Sequence, residues 1–429
     1  MIKEFTMKKT MMLIFGLLLI VGSIFAAEKN TIVKESPASD FEYDLNETED
    51  GVVITGYRGK GGDVIIPAEI EGYPVVECNG TFDGGYVSIT SIIFPDSITK
   101  ISNPGLGVGY YHDENEAVFK EMRSLKKVIF PKHLKEIPAY MLYDCYNITT
   151  IQLPADVEII GRWAFENLAI SDIYLPNTVQ KIEDYAFSRC RNLKIVTLPS
   201  SLKEIAGSVF SECNNIETLN LSDGIESIDS KAFENTAIRT LTIPSSVKKI
   251  GESSFANCKN LETLTLSDGI EEIESYAFRG TAIKKLVIPP SVKRIGQCAF
   301  KECKQLESLA LSDGIETIGA YAFSETAIKM LTIPVSVKRI EAGAFSGGTW
   351  SDTKLETLII SDGIEFIGRR AFSKSPNLTS VTLPEKQIKY GNKEYSDYAD
   401  CFSNCPQIPL KDRKKIRDTG YTGGFNDDK

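Results

Sequence analysis

The chain has 429 residues and a formal net charge of −10; 42% of its residues are hydrophobic and 25% charged. That is enough apolar material for a continuous core, and it excludes a disordered polyelectrolyte. The acidic balance excludes general nucleic-acid binding, which needs cationic side chains to displace phosphate counterions.

At the N-terminus, Lys3, Lys8 and Lys9 precede an apolar run from Met11 to Val21 and then small residues up to Ala27. This is the layout of a secretory signal peptide, expected over residues 1–26. The run is shorter than the roughly 20 residues that span a bilayer. The first cysteine, Cys78, lies far beyond it, so no lipid-attachment cysteine follows. Residues 1–26 carry Lys3, Lys8, Lys9 and Glu4, a net of +2, so the mature chain is expected at −12 rather than −10. No other stretch is expected to cross a membrane. Residues 27–42 read as a linker.

From there a short repeat dominates. A Leu, Ile or Phe position recurs at Ile66, Phe94, Phe130, Leu153, Leu175, Leu198, Leu221, Ile243, Leu266, Ile288, Leu311, Ile333, Ile360 and Leu383, with steps of 22 or 23 residues between Phe130 and Ile333. Within one unit, Leu261, Leu264 and Leu266 alternate as in a short strand. Ser-Asp-Gly or Pro-x-Ser then supplies turn chemistry. A second apolar pair follows, such as Val247 and Ile250. Last comes an Ala-Phe pair, as at Ala232-Phe233, Ala277-Phe278, Ala299-Phe300 and Ala322-Phe323. A small residue beside a large ring at one place in every unit is what stacked phenylalanines require. One unit cannot bury both apolar edges, so about fourteen units are expected to stack over residues 43–410 around a shared core.

The stretch ending at Phe300, Leu-x-Ile-Pro-x-Ser-Val-x-x-Ile-Gly-x-x-Ala-Phe, with Cys303 after it, resembles the BspA-like leucine-rich-repeat family, as does the opening unit from Val52 to Gly72. The resemblance implies a right-handed, curved and elongated leucine-rich-repeat solenoid, with parallel strands on its concave face and short strands or irregular turns on the other. It also implies a bacterial secreted or surface protein, several of whose relatives are regarded as adhesins.

Charge follows the repeat. Lys248-Lys249, Glu271-Glu272, Lys293-Arg294, Glu316, Lys338-Arg339 and Glu365 alternate from unit to unit, and so do Glu217, Arg239, Glu262, Lys284, Glu307, Lys329 and Glu356. Each acid is expected beside a base, a ladder that neutralises itself. Cys145, Cys190, Cys213, Cys258, Cys303 and Cys405 share one repeat position and read as buried thiols; Cys190 with Cys213, Cys298 with Cys303 and Cys401 with Cys405 stay open as disulfides. Cysteines spaced one per unit do not converge on a metal. With His112 and His133 the only histidines and no nucleophile-elbow, zinc-protease or phosphate-loop pattern, a non-enzyme without cofactor or metal is expected.

The candidate partner surface is the set of outward strand positions: Thr218, Asn220, Thr240, Thr242, Thr263, Thr265, Lys285, Val287, Ser308, Ala310, Met330, Thr332, Thr357, Ile359, Ser380 and Thr382. Two interruptions add to it. One, around residues 102–117, carries Tyr110 and Tyr111; the other, residues 347–352, carries Trp350. The tail, residues 411–429 with a lead-in at Leu410, reads as a short amphipathic helix capping the last unit, with contact of its basic cluster to acidic lipid or cell-wall polymer as the alternative. The expected function is macromolecular recognition by a monomeric adhesin or colonisation factor. An envelope scaffold without a host ligand, and a glycan-binding or glycan-processing protein, are the alternatives.

Overall fold

The computed structural model describes residues 34–82, 88–102, 119, 121–349, 351–391 and 400–425. The expected signal peptide, the insertion tyrosines Tyr110 and Tyr111, and Trp350 lie outside the described residues. Two units are distinguished, Met1–Ser36 and Pro37–Lys429, and the first is described only at residues 34–36, which have no regular structure.

The second unit is a parallel β-solenoid built from two columns of strands. In one column, nine short strands pair in unbroken succession from Glu204–Ile205 to Lys389–Gly391. In the other, the longer strands Thr240–Ile243, Thr263–Leu266, Lys285–Ile288 and Ser308–Leu311 form one parallel sheet. Alternation decides what each long strand buries: Leu241 and Ile243 point inward, while Thr240 and Thr242 face solvent.

Each coil then turns through its phenylalanine. From Phe165 to Phe323 the residue two before the ring and the residue two after it both adopt positive φ, as Ser253 (56°) and Asn257 (58°) do around Phe255, and Cys298 (56°) and Glu302 (64°) around Phe300. A left-handed non-glycine residue costs about 1–2 kcal/mol. What offsets it is the direction it gives the backbone: N–H groups point along the stack. Thus Phe255 donates to the carbonyl of Ala277, Phe278 to Ala299 and Phe300 to Ala322, each at 2.8 Å. Without these bonds, buried amides would stand unsatisfied.

Inside, ten rings from Phe187 to Phe402 stack in file. Neighbouring centroids are 5.2 to 5.6 Å apart and ring planes lie within 15° of each other. Phe233, Phe255, Phe278 and Phe300 are fully buried, as are the alanines beside the repeat phenylalanines. Ser254 occupies the alanine slot before Phe255, and its buried hydroxyl has no hydrogen-bond partner.

Both ends of the file are closed. β1 (Phe41–Leu45) pairs antiparallel with β2 (Val52–Tyr57), and Phe41 packs on Tyr57, whose ring stacks on Phe82. β1 thus begins inside the stretch read as a linker. At the other end the tail forms α1 (Leu410–Asp418), whose Ile416 is buried, and Tyr421 and Phe425 close over Phe402. Such ends remove the unpaired edges that a bare solenoid presents.

One expectation fails locally. Leu153 and Leu175 lie in coils with no long strand. There coil-to-coil bonds run from Ala169 N–H to Ile148 and from Lys194 N–H to Ser171, ahead of the strand position, as Glu262 N–H bonds to Arg239 in a coil with a long strand, but no strand follows.

Because every inner ring is clasped by two others, Phe278→Ala is expected to cost about 3–5 kcal/mol of unfolding free energy. Ser254→Ala removes an unsatisfied hydroxyl and should gain about 1 kcal/mol. Urea titration of the two variants checks both, and a destabilised Ser254→Ala would contradict the packing described.

Candidate functional site

The outward strand positions form a continuous strip. Thr218, Asn220, Thr240, Thr242, Thr263, Thr265, Lys285, Ser308, Met330 and Thr332 are all exposed. Register sets them side by side: Thr240 faces Thr263, Thr242 faces Thr265, Thr332 faces Ile359 and Val287 faces Ala310. The Asn220 amide donates to Thr197 Oγ1 at 3.0 Å. From Thr218 to Thr265 the strip is hydroxyl and amide only. Beyond it lies an apolar group of Val287, Met330 and Ile359, with Met330 65% and Val287 62% exposed.

Sequence reasoning began this strip too late. Ile195 pairs with Thr218 in the same register and is exposed. Upstream of it, Tyr174 is 76% exposed and Ile129 is exposed as well. The signal was present in the sequence, because Tyr174 and Ile129 precede Leu175 and Phe130 as Thr242 precedes Ile243. The strip therefore has two apolar groups flanking an uncharged polar middle.

The charge ladder forms beside the strands. Backbone bonds link Lys203, Glu226, Lys248, Glu271, Lys293, Glu316, Lys338 and Glu365 in succession, and Lys338 Nζ lies 3.7 Å from Glu316. In the second series Arg239 meets Glu217 at 3.4 Å and Lys284 meets Glu262 at 2.6 Å. The Lys284 ammonium holds the exposed Glu262 carboxyl below the usual range. Arg339 departs from the simple alternation: it pairs with Glu341 within its own coil and lies over the Phe366 ring. Exposed pairs of this kind add little stability each, and their alternation leaves no single-sign face.

A repeat model for the BspA type leucine rich repeat region, in six copies, matches residues 115–239, 226–351 and 348–413. The chain belongs to the BspA-type leucine-rich repeat family. Its coils are similar to those of a leucine-rich repeat protein from Bacteroides ovatus, 21% identical over 81% of this chain and 94% of that one, with a TM-score of 0.57. A leucine rich cell surface protein from Faecalibacterium prausnitzii is 23% identical over 86% of this chain and 98% of its own, with a TM-score of 0.48. The Bacteroides likeness shows a shared fold. No curated protein matches the chain.

In this BspA-type chain the second interruption is anchored by a residue that sequence reasoning did not single out. Lys374 Nζ donates to the carbonyls of Gly348 and Thr349, both at 2.8 Å. Thr353 Oγ1 donates to Ser375 Oγ at 2.9 Å behind it.

All nine cysteines are free and buried, so none of the three open disulfide pairings forms. Each repeat thiol has a defined acceptor: Cys190 donates to the Phe165 carbonyl (3.2 Å), Cys258 to Phe233 (3.3 Å) and Cys303 to Phe278 (3.3 Å). The same carbonyls accept from hydroxyls of their own coil, Thr236 to Phe233 and Thr281 to Phe278, each at 3.0 Å. Thr in one coil and Cys in the next thus satisfy one carbonyl together, a pairing that the threonine spacing could have revealed. Among the described residues, no group of three His, Cys, Asp or Glu side chains is placed to hold a metal ion.

Burial pushes the thiols of Cys145 and Cys190 up to about 12 and those of Cys258 and Cys303 up to about 11. The native protein should therefore resist alkylation at mildly alkaline pH and react fully once unfolded. The sign of the linkage follows: a raised folded value gives full stability below the unfolded thiol pKa of about 8.5, with progressive loss as pH rises above it. Stability measured against pH should fall on the alkaline side, and rapid native alkylation would contradict the burial.

Proposed function

We propose that this BspA-type chain is exported after loss of residues 1–26 and recognises a host or bacterial macromolecule, acting as an adhesin or colonisation factor through the strand strip and the two inserted segments. One observation carries the reading. Of the twelve large hydrophobic side chains exposed among the described residues, Ile129, Ile195, Val287, Met330 and Ile359 lie on outward strand positions, and Tyr174 occupies the equivalent position of a coil without a long strand. Strand packing gives no reason to leave them there, because the inward positions already fill the core. Exposed apolar anchors around an uncharged polar middle are the composition of a protein-binding surface, where a few large side chains carry most of the affinity. A broad strip suits a macromolecule better than a small molecule.

The strip positions Thr218, Asn220, Thr240, Thr242, Thr263, Thr265, Lys285, Ser308, Met330 and Thr332 are proposed contacts. Tyr110, Tyr111 and Trp350 are proposed to add aromatic anchors.

The test uses the exported chain against a panel of immobilised matrix proteins and partner cells. The combined variant Tyr174→Ala, Ile195→Ala, Met330→Ala should bind at least about tenfold more weakly. Tyr321→Ala, an exposed aromatic off the strip, should bind normally. A combined variant with unchanged affinity would remove the strip, and the same experiment on Tyr110→Ala, Tyr111→Ala, Trp350→Ala judges the loops. Protease added to intact cells should cleave the protein; full protection would favour the envelope scaffold.

A further inference from the structure

The C-terminal cap carries more charge than capping needs. On the inner side of α1, Ile416 is buried and the buried Asp412 accepts a long hydrogen bond from the Val381 N–H, at 3.4 Å. Both arginines are consumed internally. Arg413 donates to the carbonyls of Ile408 (2.8 Å) and Pro406 (2.7 Å), and Arg417 donates to that of Tyr421 (3.1 Å); both lie over the Phe425 ring at 5.1 Å.

What remains outside is Lys411, Lys414 and Lys415, spaced to share one helix face and all exposed. Lys386 and Lys389 are exposed on the adjoining segment, which is tied to the helix end by the Ile388 N–H donating to the Thr419 carbonyl at 2.9 Å. The acids near them among the described residues are Glu385, Asp418 and Glu365, whose carbonyl accepts from the Lys389 N–H, because Asp412 is turned inward.

Two features have no explanation in the fold. Lys411 sits in the first turn of α1, where a cation opposes the helix dipole. Leu410 beside it is 83% exposed, the most exposed large hydrophobic side chain among the described residues. An acidic protein has thus gathered five lysines and a bare leucine at one end.

We propose that this end docks on an anionic lipid bilayer, with the lysines over the headgroup phosphates and Leu410 entering the interface. Lysine ammonium groups act as point charges suited to a diffuse negative surface, whereas specific phosphate recognition favours paired arginine contacts. The exposed leucine selects a bilayer over a soluble phosphate polymer, which offers no apolar layer. Docking through the cap leaves the strand strip unused, and the inference stands apart from the proposed function.

The test is co-sedimentation of the exported chain with equimolar phosphatidylglycerol–phosphatidylcholine vesicles and with pure phosphatidylcholine vesicles. Binding should require phosphatidylglycerol and weaken as salt is raised. Each lysine contributes about fivefold, so Lys411→Ala, Lys414→Ala, Lys415→Ala together should weaken binding by about a hundredfold with an unchanged melting temperature. Leu410→Ala should weaken it several-fold, and Met330→Ala should leave it intact. Equal binding to neutral vesicles, no binding to either, or an unaffected lysine variant would each overturn the proposal. So would soluble polyphosphate binding as tightly as the anionic vesicles with Leu410→Ala unaffected, because that would assign the site to a polymer.

Discussion

From Phe187 to Phe402 each coil places one phenylalanine in a file with the rings of its neighbours, and that clasp sets the advance of the chain along this stretch. Centroid separations of 5.2 to 5.6 Å lie within the range of favourable offset stacking, and the ring planes are nearly parallel. The backbone must therefore bring equivalent residues of successive coils to one height. It does so at a local cost, with left-handed residues on both sides of the ring. The cost is accepted because it turns the amides along the stack, and no coil meets its own hydrogen-bonding needs without its neighbour.

Surface chemistry follows from the same advance. Once equivalent positions align, any property that alternates between 22- and 23-residue units becomes a line of contacts. Glu262 beside Lys284 is one such contact, and the Thr and Cys that share the carbonyls of Phe233 and Phe278 are another. A property that does not alternate becomes a stripe instead. The threonine strip is of this kind, and it gives a rigid scaffold on which Tyr174, Ile195, Val287 and Met330 are held at fixed separations. Rigid presentation lowers the entropy lost on binding, which is how a scaffold without a deep pocket can still recognise a partner.

Much of this was legible in the residues. The Leu-x-x-Leu-x-Leu alternation located the long strands, the Ala-Phe pairs located the buried file, and the charge alternation located the ladder. What was missed has physical reasons. Left-handed backbone at Tyr276, Lys231 or Glu302 leaves no mark in the sequence, because the need for coil-to-coil hydrogen bonds overrides the usual preference for glycine or asparagine. The missing long strands around Leu153 and Leu175 were hidden because their apolar pattern resembles that of their neighbours. Ile129, Tyr174 and Ile195 were legible and overlooked, since large apolar side chains in a repeat are read as core unless the register is followed strictly. The partner surface is the least legible part: threonine is at home on any strand, and only exposure separates a binding anchor from packing.

Native-state hydrogen exchange most directly tests the shared interior. The amides of Phe187, Phe233, Phe278, Phe323 and Phe372 each donate to the next coil, so they should exchange slowly and together, through an opening that engages neighbouring coils. If these amides exchanged as fast as exposed turns, or if single coils opened independently of those beside them, the phenylalanine file would not be what holds the solenoid together.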